Sequence, residues 1–370
     1  MPVGYLITLS LLGVCALAAL TRPRRMSRKR YALAVAINEL PHWAALGLLL
    51  ATALAWSEGD LDGVPGVILL GCAAALLVAL GELARRGLLA ERAVAAVVRA
   101  HGAEPRARRR LRPWLFPFPW RPRSVTRVGP IRYGDHRRQR LDVYRRKDVG
   151  EAGPVLVYLH GGGYFSGSNR REGKGLLHHL TARGWVCLSA TYRLRPSADF
   201  TDHLDDARAA LRWAHDHAAE YGGDPSTLVM AGSSAGAHLA SLCALTQDRD
   251  DPHRPPVDAA VCLYGYYGRY YGRGVDESPV STPLALDPGD APAFFIAHGD
   301  HDSYAPVEDA RALRRHLEAG SPRPTWYVEP PGAQHGFDAL LSWRTAAVID
   351  GVDAFLARSV LPRPRGLRSS

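Results

Sequence analysis

The 370-residue sequence is poor in the residues that build disulfide frameworks and lacks the spacings that mark metal sites. It has five cysteines, with no Cys-x-x-Cys pair among them. Cys15 and Cys72 sit in apolar stretches, and Cys187, Cys243 and Cys262 are scattered through segments that read as strands and a helix. Reduced, buried thiols are therefore expected in place of a cross-linked scaffold. The sequence has no His-Glu-x-x-His spacing and no Gly-rich loop closing on Gly-Lys-Ser/Thr, so neither a metal nor a nucleotide cofactor is expected. Basic charge is also absent where the total suggests it. The formal net charge is +10, yet residues 124–370 hold 29 Lys+Arg against 29 Asp+Glu, and residues 1–123 hold 17 against 7. The basic clusters of that first third flank long uncharged runs. Membrane lipids are the partner this pattern predicts, and nucleic acid is not.

Residues 3–20 and 64–80 are uncharged runs of 18 and 17 residues, each near the length a helix needs to cross roughly 30 Å of hydrocarbon. Segment 31–56 is long enough too, but Asn38, Glu39, Pro41 and His42 interrupt it. It reads either as a kinked span or as an interfacial turn followed by a short span. Charge separates two spans from three. Loop 21–30 carries six basic residues and no acid, 57–63 carries Glu58, Asp60 and Asp62 with no base, and 82–123 carries eleven Arg against three Glu. That alternation is what three spans require under the positive-inside rule, with the N-terminus outside and everything after residue 80 in the cytoplasm. No basic residue precedes the first apolar run, which favours an anchor over a cleaved signal peptide. Glu39 and His42 read as a polar hinge near the boundary, with an intramembrane site the sharper alternative. Residues 82–100 read as a basic helix on the membrane face. The run 113–120 (PWLFPFPW) reads as an aromatic belt, a linker packed on the following domain or part of an entrance. The expected organisation is an anchor over 1–81, a juxtamembrane segment over 82–123, a catalytic domain over 124–360 and a tail over 361–370.

From residue 124 the pattern changes. Runs at 154–159, 185–190, 226–231, 257–264, 293–297 and 324–329 read as strands, and 174–183, 203–221, 235–246, 307–319 and 342–357 as helices. The alternation predicts an α/β domain, a mostly parallel sheet with helices on both faces. Reactive groups in such domains collect in loops at the carboxyl ends of strands. Three candidate motifs fall there. Gly232-Ser233-Ser234-Ala235-Gly236 joins a strand to an Ala/Leu-rich helix, the context of a nucleophile elbow with Ser234 at its tip. His160-Gly161-Gly162-Gly163 follows an apolar strand. Its successive glycines leave the N–H groups of Gly162 and Gly163, with that of Ala235, free to hold an oxyanion. His160 reads as a residue that fixes this loop. A serine hydroxyl needs a histidine to take its proton and a carboxylate to hold that histidine. His335, in the loop after the last strand, and Asp302, after the strand at 293–297, supply them in the order Ser, Asp, His. Asp300 and His301 stand close by as rivals for the acid and as loop caps.

The ordered motifs HGGGYFSG at 160–167, Tyr192-Arg193-Leu194 with Pro196, EYGGDP at 220–225, GSSAG at 232–236, HGDHD at 298–302 and GAQHGFD at 332–338 resemble those of hormone-sensitive-lipase-like α/β-hydrolase carboxylesterases. The layout is similar to that of actinobacterial membrane-associated esterases. The resemblance implies an α/β-hydrolase fold behind an α-helical membrane anchor and a serine esterase acting on small-molecule or lipid esters. It also points to Asp302, in the pattern His-Gly-x-x-Asp, as the triad acid. An acyltransferase using the same acyl-serine, and a non-catalytic binding module, are the competing functions. Ser233 departs from the family, which often has an acidic residue there. The anchor also reads as dispensable for cleavage of short soluble esters.

Overall fold

The computed structural model describes residues 3–21, 28–106, 115–148, 150–247, 251, 255–274 and 277–360. The basic residues at 22–25, the start of the aromatic run at 113–114 and the tail at 361–370 lie outside the described residues. The eight strands described are β1 (Val125–Arg132), β2 (Arg140–Arg146), β3 (Gly153–Leu159), β4 (Val186–Thr191), β5 (Gly223–Ser233), β6 (Ala259–Leu263), β7 (Ala293–Ala297) and β8 (Thr325–Val328). They form one sheet in the order β1-β2-β4-β3-β5-β6-β7-β8. Pairing is antiparallel for β1 with β2 and for β2 with β4, and parallel from there to β8. Strands β1 and β2 extend the sheet beyond the expected set. Strand β1 is the edge and its burial is patchy, whereas β2 is paired on both sides with Leu141, Asp142, Val143 and Tyr144 buried. Both sequences, VTRVGPIR and RLDVYRR, are Arg-rich, which hides the apolar alternation a strand normally displays.

The central strands read as near-continuous apolar runs because both faces are covered. Val155, Val157 and Leu159 join one core with helices α6 (Phe200–His217), α7 (Ala235–Leu245) and α8 (Val307–Gly320), while Leu156 and Tyr158 join the other with α5 (Lys174–Ala182) and α9 (Trp343–Ser359). The alternation along one strand thus feeds two cores.

Ahead of the sheet come α1 (Val3–Leu20), α2 (Arg28–Glu39), α3 (Pro41–Ser57) and α4 (Gly63–Ala100). Helices α1 and α3 and the first half of α4 pack on one another through Leu9, Ala16, Ala19, Leu48, Leu69, Ala73 and Leu76. Their outward faces carry Ile7, Leu11, Leu50, Leu54, Val64 and Ile68, all exposed. Helices α1 and α4 are each long and apolar enough to cross a membrane, and α2 with α3 forms a pair bent by 89°. The bend falls at Leu40, with Pro41 opening α3 where a missing N–H costs nothing.

Three expectations change here. The separate basic helix over 82–100 is instead the second half of α4, 38 unbroken residues, and it leaves the bundle to lie on the sheet domain. Ala90, Val94 and Val98 are buried with Trp326, Phe355 and Val352. Gly351 lets α4 come this close, since a Cβ there would lie 2.8 Å from Val94 Cγ1. Glu39, weighed as an intramembrane group, is buried against the sheet domain: its Oε1 lies 2.5 Å from Arg344 Nη1, and its Oε2 accepts from Ser342 Oγ at 2.5 Å. Ser342 also caps α9 by accepting from Thr345 N. Cys72 departs as well, being exposed on α4, while Cys15, Cys187, Cys243 and Cys262 are free and buried. Of the three readings of the aromatic run, its described part fits a linker on the sheet domain: Pro117 O accepts from Leu341 N at 2.6 Å, with Phe116, Phe118 and Trp120 exposed.

Candidate active site

Strand β5 ends at Ser233 and α7 begins at Ala235, leaving Ser234 alone in the turn with φ 51° and ψ −118°. A side-chain-bearing residue holds such a conformation only where its surroundings over-determine it. Here Ser234 N donates to Leu263 O at 2.9 Å and Ser234 O accepts from His238 N at 3.0 Å. The flanking glycines are dictated by space. A Cβ on Gly232 would lie 2.4 Å from the Gly236 carbonyl carbon, and one on Gly236 2.0 Å from Leu159 O. The turn therefore presents the Ser234 hydroxyl between the ends of β3 and β6.

His335 arrives from the loop after β8. Its Nε2 is 2.9 Å from Ser234 Oγ and its Nδ1 is 2.7 Å from Asp302 Oδ2. The other carboxylate oxygen of Asp302 accepts from Tyr304 N and Ala305 N, both at 2.8 Å, and His298 Nε2 lies 3.3 Å from Oδ2. Burial pushes the Asp302 carboxyl up, but His335 and His298 beside it outweigh this and hold it below the usual carboxylate range. Burial likewise works against a charged His335, and Asp302 overrides it to raise the imidazole above its ordinary value. Asp300 has another task. Its Oδ1 accepts from Gly332 N at 2.6 Å and faces His301 Nδ1 at 2.9 Å, tying its own loop to the one that carries His335.

In the glycine loop, Gly162 has φ 111° and Gly163 φ 60°; a Cβ on Gly162 would lie 2.2 Å from Ser166 O. Among the described residues none accepts a hydrogen bond from the N–H of Gly162, Gly163 or Ala235, whereas Gly161 N donates to Glu172 Oε2 at 2.6 Å. His160 is buried, stacks on Tyr192 with ring centroids 4.5 Å apart, and donates from Nδ1 to Gly161 O at 2.6 Å. Burial lowers its pKa below the ordinary histidine value. Three donors around one serine, one histidine and one carboxylate can support acyl transfer. Among the described residues no group of three His, Cys, Asp or Glu could hold a metal ion.

Sequence reasoning missed Glu172. It sits beneath the elbow, where Oε2 also accepts from Ser233 Oγ at 2.6 Å, so a loop carboxylate occupies the ground that an acidic residue at 233 would have reached. Ser233 was the one available signal. Asp338 was missed as well: it accepts from Tyr264 OH, and burial pushes its carboxyl up to about 6. Tyr264 in turn meets the His335 ring edge-on at 4.9 Å. Near the site, Phe165, Tyr271 and Tyr304 are about half exposed. Arg195 lies 4.7 Å above the Phe165 ring, and Tyr304 stacks on His335 at 5.6 Å.

Residues 141–266 match the BD-FAE family model. The chain is 36% identical over 268 residues to the "Probable carboxylic ester hydrolase LipM" of Mycobacterium tuberculosis, the match taking in 64% of this chain and 62% of that one. It is 35% identical over 258 residues to "Esterase LipC" of the same organism, covering 61% and 64% respectively. The chain thus spans a little under two thirds of these relatives' length. Among solved structures, Thermogutta terrifontis esterase 2 phosphorylated by paraoxon is similar, with 25% identity, a TM-score of 0.55 and coverage of 65% of this chain and 97% of that one. The homologues and the family model agree with a hormone-sensitive-lipase-like relationship.

Proposed function

We propose that this chain, an α/β-hydrolase-fold relative of carboxylic ester hydrolases, is a membrane-anchored serine carboxylesterase with Ser234 as nucleophile, His335 as base and Asp302 as the acid that orients it. The observation that supports this most is the unbroken contact from Ser234 Oγ through His335 to Asp302, at 2.9 and 2.7 Å. Ser234 Oγ attacks the ester carbonyl carbon while its proton passes to His335 Nε2. Asp302 stabilises the imidazolium across Nδ1. The oxygen of the tetrahedral intermediate takes hydrogen bonds from Gly162, Gly163 and Ala235 N–H, each such donor supplying about 10²- to 10³-fold in rate. Collapse expels the alcohol with the proton from His335, and water repeats the sequence in reverse roles to free the acid. His160, Gly161, Gly232 and Gly236 shape the two loops without touching the ester. Assay in detergent against p-nitrophenyl esters of increasing acyl length tests the reading: esterase turnover with a clear length optimum supports it, and no cleavage of any of them overturns it.

The membrane part of the proposal rests on the apolar outer faces of α1, α3 and the first half of α4, and on charge. In this reading α1, α3 and α4 cross the bilayer and α2 lies as an elbow at the inner face, beside the catalytic domain. Glu58, Asp60 and Asp62 occupy the turn at the far end of α3, and in this reading that acidic turn lies outside and the 124–360 domain in the cytoplasm. In a Cys72→Ser background, Asp60→Cys should react with an impermeant maleimide on intact cells, and Ser226→Cys only after permeabilisation. The reverse pattern would put the catalytic domain outside.

A further inference from the structure

We propose that α2 is a working part of the active site: Tyr31 and Asn38 are positioning residues that set the loop carrying His335, so turnover depends on how the membrane-side helices are seated. This inference rests on the esterase reading above. The loop between β8 and α9 has one flank held by the catalytic domain, through Asp300 on Gly332 N and His301 N on Ala333 O at 3.1 Å. The other flank is held from α2. Asn38 Nδ2 donates to Gly332 O at 2.8 Å, and Tyr31 OH donates to His335 O at 2.5 Å. The second bond grips the backbone of the base itself. Gly336, with φ 66°, is shaped to this contact, since a Cβ there would lie 2.8 Å from Tyr31 OH. The Tyr31 ring meets Tyr304 edge-on at 4.6 Å, and Tyr304 stacks on His335.

The end of α2 is fixed in turn. Glu39 and Arg344 form a fully buried pair, and the same guanidinium donates to Pro331 O from Nη2 at 3.0 Å and Nε at 3.2 Å, and to Asn38 O at 3.4 Å. The carbonyls of Pro331, Gly332 and His335 are therefore all held by α2 or by the arginine that α2 neutralises. A buried ion pair is a poor source of stability but a stringent fixer of geometry once made, because its partners tolerate little displacement. The base must sit within hydrogen-bond reach of Ser234 Oγ, and a misplacement of about 1 Å costs on the order of 10²-fold in rate. Helix α2 joins α1 to α3, so a helix that belongs to the anchor in sequence supplies part of the catalytic geometry. The anchor is not the dispensable tether that the linear layout suggests.

The test uses the full chain and a short, water-soluble ester, p-nitrophenyl acetate, so that membrane partitioning plays no part. Paraoxon titration counts competent serines, and kcat is expressed per titrated site. Tyr31→Phe, which keeps the ring and loses the donor, and Asn38→Ala are each expected to lower kcat about tenfold with KM within about twofold. The double variant should lose less than the product of the two, because both act on one loop. Tyr5→Phe, which breaks only the Tyr5–Thr52 bond of 2.8 Å within the helix bundle, should leave kcat unchanged. Tyr31→Phe and Asn38→Ala enzymes with normal kcat per site, whether or not titratable sites are lost, would make α2 a purely structural support and overturn the inference. Multiplicative losses would overturn the single-loop account. A wild-type protein showing neither turnover nor paraoxon labelling would refute the esterase reading instead.

Discussion

Ser234→Ala is expected to lower ester turnover by about 10⁴-fold or more, leaving at most the residual rate that binding and oxyanion donors supply to a serine hydrolase without its nucleophile. The turn should survive, because it is held by Ser234 N and O and by its glycine neighbours, and by nothing that the hydroxyl contributes to packing. The expected readout is loss of both p-nitrophenyl ester cleavage and paraoxon labelling at an unchanged melting temperature. Ser233→Ala is the matched control. Its hydroxyl meets Glu172 and not the ester, so activity should stay within about tenfold while stability drops by the ~1.5–3 kcal/mol of a hydrogen bond to a charged group. Comparable turnover in Ser234→Ala and wild type would remove Ser234 from the mechanism.

Asp302→Asn is expected to cost on the order of 10⁴-fold in kcat, because an amide facing Nδ1 stabilises the wrong tautomer of His335 and no imidazolium. Asp300→Asn should cost far less, since Asp300 faces Gly332 N and His301 and has no contact with the base. The pH profile supplies a second discriminator. His335 must be neutral to accept the Ser234 proton, so kcat/KM falls on the acid side as the imidazole is protonated. Asp302 raises that pKa above the ordinary histidine value, and the acid limb of the residual Asp302→Asn activity should move to lower pH. A greater loss in Asp300→Asn than in Asp302→Asn at equal thermal stability would reassign the acid.

These two carboxylates illustrate what sequence can and cannot resolve. Asp300 and Asp302 lie two residues apart at the end of the same strand, and only the direction each faces distinguishes them, a property of the folded loop. The parallel strands and their helices were legible because a sheet covered on both faces writes itself as short apolar runs between amphipathic stretches. Strands β1 and β2 were not legible, since Arg127, Arg132, Arg140, Arg145 and Arg146 break the apolar alternation that marks a strand. The elbow and the glycine loop were readable because steric necessity leaves glycine at fixed spacing. Glu172 left no such trace, as its place under Ser233 comes from tertiary packing across 61 residues. For the same reason the interruptions at Asn38 and Glu39 looked like flaws in a span, when in the fold they are the groups that dock α2.

At 1.5 Å per residue, the 38 residues of α4 make a rod about 57 Å long. A rod transmits rotation, which a flexible leash does not. Each residue inserted near Leu80 would turn everything beyond it by about 100°, swinging the Ala90–Val94–Val98 stripe away from α9 or dragging the first half of the helix out of the bundle. The chain from α1 through α3 would resist that turn through α2. The sheet domain and the helical bundle therefore share one helical phase. In the membrane-anchored reading, insertions at this junction would be tolerated best in steps close to whole turns, and the domain that carries Ser234 would keep a fixed bearing and height above the bilayer, making its encounter with an ester dissolved there a search in two dimensions.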